Sequence, residues 1–184
     1  MKIKVKKVID INKYSDKEIT EILKTAIVVI DTREQKCKHI TDYFEEKKIP
    51  FTYEKLDFGD YTLKTNAFNS SREYYLQDVC TIERKANLEE LSGNLAHERK
   101  RMEQEFSRSR GNVILLIENA KYEDIVNHNY KTQYLPKSFM ATLKTFEARY
   151  GFSTHFQKDS KYTGQYIYQT LIYHLREQLL KGVF

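Results

Sequence analysis

The sequence predicts an α/β fold in which helices flank both faces of a central mixed β-sheet. Two apolar runs, AIVVI at 26–30 and VILLIE at 113–118, are typical of strands buried within a sheet. Other segments alternate between polar and apolar residues, as strands do, or repeat their apolar residues with helical spacing. Two prolines and six glycines among 184 residues leave regular structure largely uninterrupted. This length suits one domain with a single sizeable core.

Residues 1–25 are predicted to form an N-terminal extension that precedes a domain over 26–184. Lys2 to Ile9 alternates weakly and predicts a strand, and Ser15 with Glu18 predicts a helix that begins with a capping box. The elements predicted between the two apolar strands are a helix over 34–48, a strand over 49–56, a hairpin over 61–85 whose second strand runs from Glu73 to Lys85, and a helical region over 87–110 interrupted around Ser92–Asn94. The elements predicted after the second apolar strand are helices near 121–127, 137–150 and 162–181 and a short strand near 152–156.

The predicted last helix, within segment 158–184, is apolar on more than one side. Its apolar residues include Tyr166, Ile167, Leu171 and Ile172. A terminal helix normally needs only one buried stripe. The surplus therefore predicts either a homodimer face or more extensive burial within one chain.

Composition excludes several classes of protein and favours a polyanionic partner only weakly. The formal net charge is +5, a mild excess that ordinary proteins also carry. Cys37 and Cys80 are isolated, so no Cys-x-x-Cys pair is present for zinc or dithiol chemistry. The basic N-terminus lacks the apolar centre of a signal peptide, and the run from Ala26 to Ile30 is too short to span a bilayer. We therefore expect a cytoplasmic protein without membrane contact.

Charged residues collect where the predicted strands end. Asp31 ends the first apolar strand, Asp60 follows Gly59, and Glu83 to Lys85 close the long strand. Because alternate strand residues share a face, Glu83 and Lys85 are expected to point together. The hairpin is expected to bring Asp60 beside Glu83. Two carboxylates suit Mg²⁺, which polarises a phosphoryl oxygen and activates water, and Lys85 can orient that water or stabilise developing charge.

Each cluster also has an ordinary structural explanation. An isolated Glu-x-Lys pair is typical of a solvated strand edge, and Gly-Asp is a common turn. DTRE at 31–34 can be a helix start capped by Asp31 or Thr32. Three such clusters, each at the end of an apolar strand, favour a functional site over coincidence.

Three segments resemble the nuclease domain of the XPF family of structure-specific endonucleases. They are VVIDTREQ (28–35), LDFGDYTL (56–63) and TIERKANLEEL (81–91). The family motif, GD and then ERK-x-x-x-D, is matched by Gly59-Asp60 and by Glu83-Arg84-Lys85. The upstream D-x-R-E element is matched at Asp31, Arg33 and Glu34. The resemblance covers about residues 26–157.

The resemblance implies a restriction-endonuclease-like fold and Mg²⁺- or Mn²⁺-dependent cleavage of DNA near junctions of duplex and single strand. It implies that Asp60 and Glu83 ligate the metal, that Asp31 is a further acidic residue near it and a third candidate ligand, and that Lys85 serves the attacking water. The residues it implies as supporting the site or contacting phosphate are Arg33, Glu34 and Arg84.

The sequence departs from the family pattern in two places. Glu89 stands where the motif has its final Asp, and its supporting role is left open between site residue and helix-start acid. The tandem helix-hairpin-helix module that usually follows needs Gly-rich hairpins, whereas after residue 157 this chain has only Gly164 and Gly182. A compact chain of this kind suggests a bacterial, phage or plasmid protein.

The predicted helix over 95–110 is a candidate DNA contact. It carries Arg101, Arg108 and Arg110, and phosphate contacts of this kind give affinity without sequence readout. Its interleaved Glu98, Glu103 and Glu105 are equally typical of an amphipathic helix with a solvated outer face.

The sequence thus predicts a divalent-metal-dependent DNA endonuclease. The alternatives are a catalytically silent DNA-binding or scaffold module of the same fold and, less favoured, a nuclease that acts on RNA. Retention of Asp60, Glu83 and Lys85 favours the enzyme.

Overall fold

The computed structural model describes residues 14–66, 73–109 and 111–182. The strand predicted over Lys2 to Ile9 and the candidate contact Arg110 lie outside these residues. The described strands are β1 (Ile27–Asp31), β2 (Phe51–Glu54), β3 (Tyr61–Asn66), β4 (Glu73–Tyr75), β5 (Cys80–Lys85), β6 (Asn112–Glu118) and β7 (Ser153–Gln157). The described helices are α1 (Asp16–Lys24), α2 (Lys38–Glu46), α3 (Leu88–His97), α4 (Arg99–Arg108), α5 (Tyr122–Val126), α6 (Pro136–Tyr150) and α7 (Thr163–Lys181).

The strands form one mixed sheet, in the order β2-β1-β3-β5-β6-β7, with β4 paired to β3. Strands β1 and β2 are parallel, as are β5, β6 and β7, whereas β3 runs antiparallel to both of its sheet neighbours. The ends of β1, β5 and β6 and the start of β3 therefore lie at one edge of the sheet.

Helices cover both faces of the sheet, as predicted. One face packs against α1, α2 and α7, and the other against α3, α4, α5 and α6. Strand β6 contributes to both cores, with Ile114 and Leu116 on the first face and Leu115 and Ile117 on the second. Burial on both faces explains why this strand is a continuous apolar run and does not alternate.

The predicted strand from Glu73 to Lys85 is wrong as one element. A 3-10 turn over Leu76–Asp78 separates β4 from β5 and carries the Leu76 side chain into the core. Gln77 reinforces this turn, because its side-chain amide donates to the Phe58 carbonyl and its own carbonyl accepts from Thr81 Oγ. These side-chain bonds replace the regular strand ladder.

The interruption predicted around Ser92–Asn94 is also wrong. Helix α3 is continuous there, because Leu91 and Leu95 on either side are buried in the core, while the Ser92 hydroxyl donates to the Glu89 carbonyl inside the helix. The break falls at Glu98, whose backbone leaves helical geometry between α3 and α4.

The terminal helices belong to one core. Helix α1 begins with the predicted Ser15–Glu18 capping box and buries Ile19 and Ile22 in the same core as α7. Tyr166 and Ile172 of α7 are partly buried there, which accounts for part of its apolar surplus, while Tyr173 is 63% exposed. Homodimerisation through this helix stays a prediction. Within the described residues, no helix is both long and apolar enough to cross a membrane.

Candidate active site

The edge where β1, β5 and β6 end and β3 begins carries the acidic and basic residues singled out in the sequence. Tyr61 of β3 pairs with Ile82 of β5. One step further along this antiparallel pair, Asp60 comes opposite Glu83. The backbone confirms this placement, because the Asp60 N–H donates to the Ile82 carbonyl at 2.9 Å.

Gly59 allows Asp60 to approach β5 this closely. Its φ of +73° is a conformation that side chains with a Cβ rarely adopt. A Cβ at this position would lie 2.1 Å from Thr81 Cγ2. The glycine of the Gly-Asp pair therefore serves close contact between strands as well as the turn, and this contact sets where the Asp60 carboxylate lies.

Glu83 and Lys85 share one side of β5, as their spacing predicts. Lys85 Nζ donates to Glu83 Oε1 at 2.8 Å, and both side chains are 12% exposed. On the neighbouring strand, Asp60 Oδ2 accepts the backbone N–H of Arg84 at 2.7 Å. Two carboxylates and one ammonium thus converge at the end of adjacent strands.

The electrostatics of this group favour binding of a cation. Burial, together with the charge of Glu83, raises the pKa of Asp60 well above its ordinary value. Burial acts to lower the pKa of Lys85, but the charge and hydrogen bond of Glu83 and the charge of Asp60 raise it overall. Lys85 is therefore an ammonium at neutral pH, and the two carboxylates repel each other unless a further positive charge joins them.

Asp31 lies at the same edge, but its carboxylate is occupied. Oδ1 accepts both the backbone N–H and Nε–H of Arg33 at 2.7 Å, and Oδ2 accepts Nη2–H of Arg33 and the Leu56 N–H. Burial alone would raise the pKa of Asp31, but the bonds from Arg33 and Leu56 lower it. Asp31 therefore holds the guanidinium of Arg33, which is half exposed toward the cleft.

Arg84 points to the opposite side of β5 from Glu83 and Lys85, as the alternation predicts. Its guanidinium contacts both carboxylate oxygens of Glu34, the Lys36 carbonyl and Glu118. Only 5% of the Arg84 side chain is exposed, which leaves little of it accessible to DNA. Arg84 instead joins the segment after β1 to the ends of β5 and β6.

Glu118 and His39 were missed by the sequence reasoning. His39 Nε2 lies 2.7 Å from Glu118 Oε1 and extends the buried Arg84 cluster to α2. A signal was present for Glu118, because an acid that closes a fully apolar strand needs a buried partner. For His39, we find no signal in the sequence.

Glu89 does not join the site. Its Oε1 accepts the backbone N–H of Lys131 at 3.1 Å, away from the Asp60–Glu83–Lys85 group. Its neighbour Glu90 lines the cleft instead.

The comparison with known families agrees with the motif resemblance. The model of the family described as the ERCC4 domain matches residues 30–170. The chain belongs to the ERCC4 domain family. These are the XPF-family nucleases, a family of DNA-structure-specific endonucleases. No curated protein matches this ERCC4 domain in sequence.

Solved structures of XPF from Aeropyrum pernix share the fold. One is 18% identical, with a TM-score of 0.57, over 78% of this chain and 64% of that one. A second, the archaeal protein in complex with DNA, is 19% identical with a TM-score of 0.57 over 80% and 63%. This ERCC4 domain thus spans less than two thirds of the archaeal chains. At this identity, the likeness confirms the restriction-endonuclease-like fold.

The family is metal-dependent, and the donor set of this ERCC4 domain fits a hard cation. Asp60 Oδ1 and Glu83 Oε2 accept no hydrogen bond from any residue in the described ranges. Mg²⁺ commonly binds through one or two carboxylates, with water and substrate phosphate as its other ligands. Within those ranges, no group of three or more His, Cys, Asp or Glu side chains is arranged to hold a metal ion. The pair thus suits a cation that keeps open positions.

An open cleft of about 580 Å³ lies over these residues in the ERCC4 domain. Its walls include Arg33, Arg101 and Arg108. Arg101 is paired with Glu98 and Glu105, which weakens its positive field. No ion pair holds the exposed Arg108 among the residues that the structure describes. Arg108 is therefore the better placed of the two α4 arginines at the cleft to meet a phosphate.

Proposed function

We propose that this chain is a divalent-metal-dependent endonuclease that hydrolyses phosphodiester bonds of DNA, at branched DNA or at junctions of duplex and single strand. The observation that carries this proposal is the convergence of Asp60, Glu83 and Lys85 in an open cleft. Family membership supports a nuclease, and the crystallised complex of the archaeal XPF supports DNA as the ligand.

Asp60 and Glu83 would hold Mg²⁺ or Mn²⁺ through their oxygens. When bound, the ion polarises a phosphoryl oxygen and lowers the pKa of a coordinated water. Glu83 also holds the Lys85 ammonium, which orients the attacking water and stabilises negative charge that develops on the phosphate. Arg84 fixes Asp60 through its backbone N–H, and its buried guanidinium keeps the surrounding segments in place.

Asp31 acts in this proposal as a positioning residue and not as a metal ligand. Both of its oxygens are occupied, so binding a cation would require Arg33 to leave. Held by Asp31, Arg33 presents its guanidinium to a phosphate in the cleft. Asp31→Asn is therefore expected to retain Mn²⁺ binding, measured by titration calorimetry, while it weakens DNA binding. A loss of Mn²⁺ binding in Asp31→Asn as large as the loss in Asp60→Asn would instead support Asp31 as a metal ligand.

The remaining DNA contacts are assigned to helix α4 and the residues after it. Arg108 is exposed at the cleft, and Arg101 stands on the same helix. Arg110 belongs to the same proposed contact on sequence grounds alone. These arginines would neutralise phosphates without reading bases.

A cleavage panel tests the proposal. The purified chain is incubated with Mg²⁺ or Mn²⁺ and with duplex, flap, fork and single-stranded DNA, with single-stranded RNA as the comparison. Asp60→Asn and Glu83→Gln are expected to abolish cleavage, and EDTA is expected to do the same. Glu177→Gln, an exposed glutamate of α7, is the matched control and should cleave normally. Cleavage that survives EDTA or both site variants would refute metal-dependent catalysis at Asp60 and Glu83.

Tight DNA binding without cleavage under either metal would instead favour the scaffold alternative. The retained Lys85 ammonium argues against it, because a module that only binds DNA has no use for a buried lysine between two carboxylates.

A further inference from the structure

Two neighbouring glutamates at the start of α3 point to different surroundings. Glu89 accepts a backbone hydrogen bond from Lys131, as described above. The Oε1 atom of Glu90 lies 3.9 Å from Lys85 Nζ, and the residue lines the same cleft as Glu83. The glutamate of α3 that comes near Lys85 is therefore Glu90, one residue beyond the position of the final Asp in the family motif.

The first turn of α3 holds Glu90 in this place. Asn87 caps the helix, and its Oδ1 accepts the Glu90 N–H at 2.9 Å. In return, Glu90 Oε2 accepts the Ala86 N–H at 2.9 Å. Such reciprocal bonds fix a helix start, and the positive end of the helix dipole favours the carboxylate there. With Oε2 engaged by the backbone, Oε1 is the atom left for Lys85.

We infer that Glu90 is a positioning residue of the nuclease centre, an inference that rests on the function proposed above. Lys85 donates to Glu83 at 2.8 Å, yet a cation bound between Asp60 and Glu83 draws on the same Glu83 carboxylate. Glu90 places a second negative charge 3.9 Å from the ammonium, which would hold Lys85 in place if a cation drew on Glu83.

Charge gives Glu90 a second effect. With the carboxyl groups ionised, Asp60 and Glu83 with the Lys85 ammonium carry a formal net charge of −1, and Glu90 makes it −2. A net charge of −2 balances the +2 charge of a divalent cation. Glu90 therefore strengthens metal binding without touching the metal, as charged neighbours of metal ligands commonly do.

The test compares Glu90→Gln with Glu89→Gln in the full chain. Both substitutions remove one charge and keep an oxygen that can accept the backbone N–H each glutamate binds. Mn²⁺ binding is measured by titration calorimetry and kcat on a cleaved DNA. Glu90→Gln is expected to weaken Mn²⁺ binding and to lower kcat, with a loss of about 10–100-fold in at least one of the two. Glu89→Gln is expected to stay within about twofold, as surface substitutions do.

Glu90→Asp tests whether the negative charge of Glu90 carries the effect. It keeps the carboxylate on a shorter side chain and is expected to bind Mn²⁺ more tightly than Glu90→Gln. Wild-type affinity and kcat in Glu90→Gln would overturn the inference, and so would an equal loss in Glu89→Gln or no recovery in Glu90→Asp. A wild type that binds Mn²⁺ but cleaves no DNA removes the proposed function, while the binding comparison still decides the effect of Glu90 on the cation. A wild type that binds no Mn²⁺ overturns both.

Discussion

Replacement of Arg84 by methionine tests whether its role is structural. The substitution keeps a long side chain but removes the guanidinium from between Glu34 and Glu118. The side chains of these two glutamates are 8% and 2% exposed, so their charges would be left with little access to water. Loss of one partner from a buried ion pair costs about 3–5 kcal/mol. For a domain of this size, that loss corresponds to a fall of about 6–20 °C in melting temperature.

Urea unfolding at equilibrium and calorimetry measure the loss. The matched control is Arg101→Met, because Arg101 is 68% exposed although it too contacts two glutamates. Exposed pairs contribute about 1 kcal/mol at most, so the control should change stability little. The triple variant Arg84→Met/Glu34→Gln/Glu118→Gln removes the stranded charges and should recover part of the loss. An Arg84→Met protein as stable as the Arg101→Met control, or a triple variant no more stable than Arg84→Met, would refute the reasoning.

Three further predictions concern the turn, the carboxylates and the DNA contact. Gly59→Ala should destabilise the protein by about 2–4 kcal/mol in urea unfolding, because it adds the cost of positive φ to overlap with β5. Gly93→Ala has no atom within 4 Å of its new Cβ and should stabilise α3 by about 0.5–1 kcal/mol. Equal effects of the two substitutions would contradict the contact at Gly59. Because burial and Glu83 raise the pKa of Asp60, its ionisation destabilises the folded protein. This cost is absent at low pH and grows as pH rises from the ordinary pKa of Asp to the raised pKa of Asp60. Metal-free Asp60→Asn should accordingly melt above wild type at pH 8 and lose this advantage near pH 4, and an advantage that does not change with pH would contradict the pKa shift. Arg108→Ala should weaken binding to DNA of any sequence and reduce the salt dependence of binding by about one counterion, measured by fluorescence anisotropy across salt concentrations; an unchanged salt slope would remove Arg108 from the interface.

Local patterns in the sequence were enough to predict much of the candidate site. The opposite directions of Glu83 and Arg84 follow from the two-residue period of a strand, which depends only on neighbouring residues. The two buried strands follow from their unbroken apolar runs. Asp60 was expected beside Glu83 through a simple hairpin, but β4 takes the far half of β3 and only the start of β3 pairs with β5.

Contacts between distant segments could not be predicted. Arg84 reaches Glu118 because β6 returns parallel to β5 after two helices, and nothing near Arg84 in sequence encodes that pairing. The choice of Glu90 over Glu89 depends on where α3 begins, and helix boundaries are the least certain part of a sequence-based prediction. The hydrogen bonds from Arg33 to Asp31 could not be predicted either, because they depend on the geometry of the two side chains.

The alternating directions of the Glu83, Arg84 and Lys85 side chains also favour the correct register of β5 in the sheet. A slip by one residue exchanges the two faces of a strand. In the direction that carries Glu83 to the position of Arg84, the slip would place the Glu83 carboxylate beside the buried Glu34 and Glu118, leaving three acids together without their guanidinium, and would turn Arg84 out into the cleft. Such a misaligned sheet would carry uncompensated buried charge on one face and lack a carboxylate on the other. The same three side chains that equip the cleft thus make the wrong alignment of the strands costly during folding.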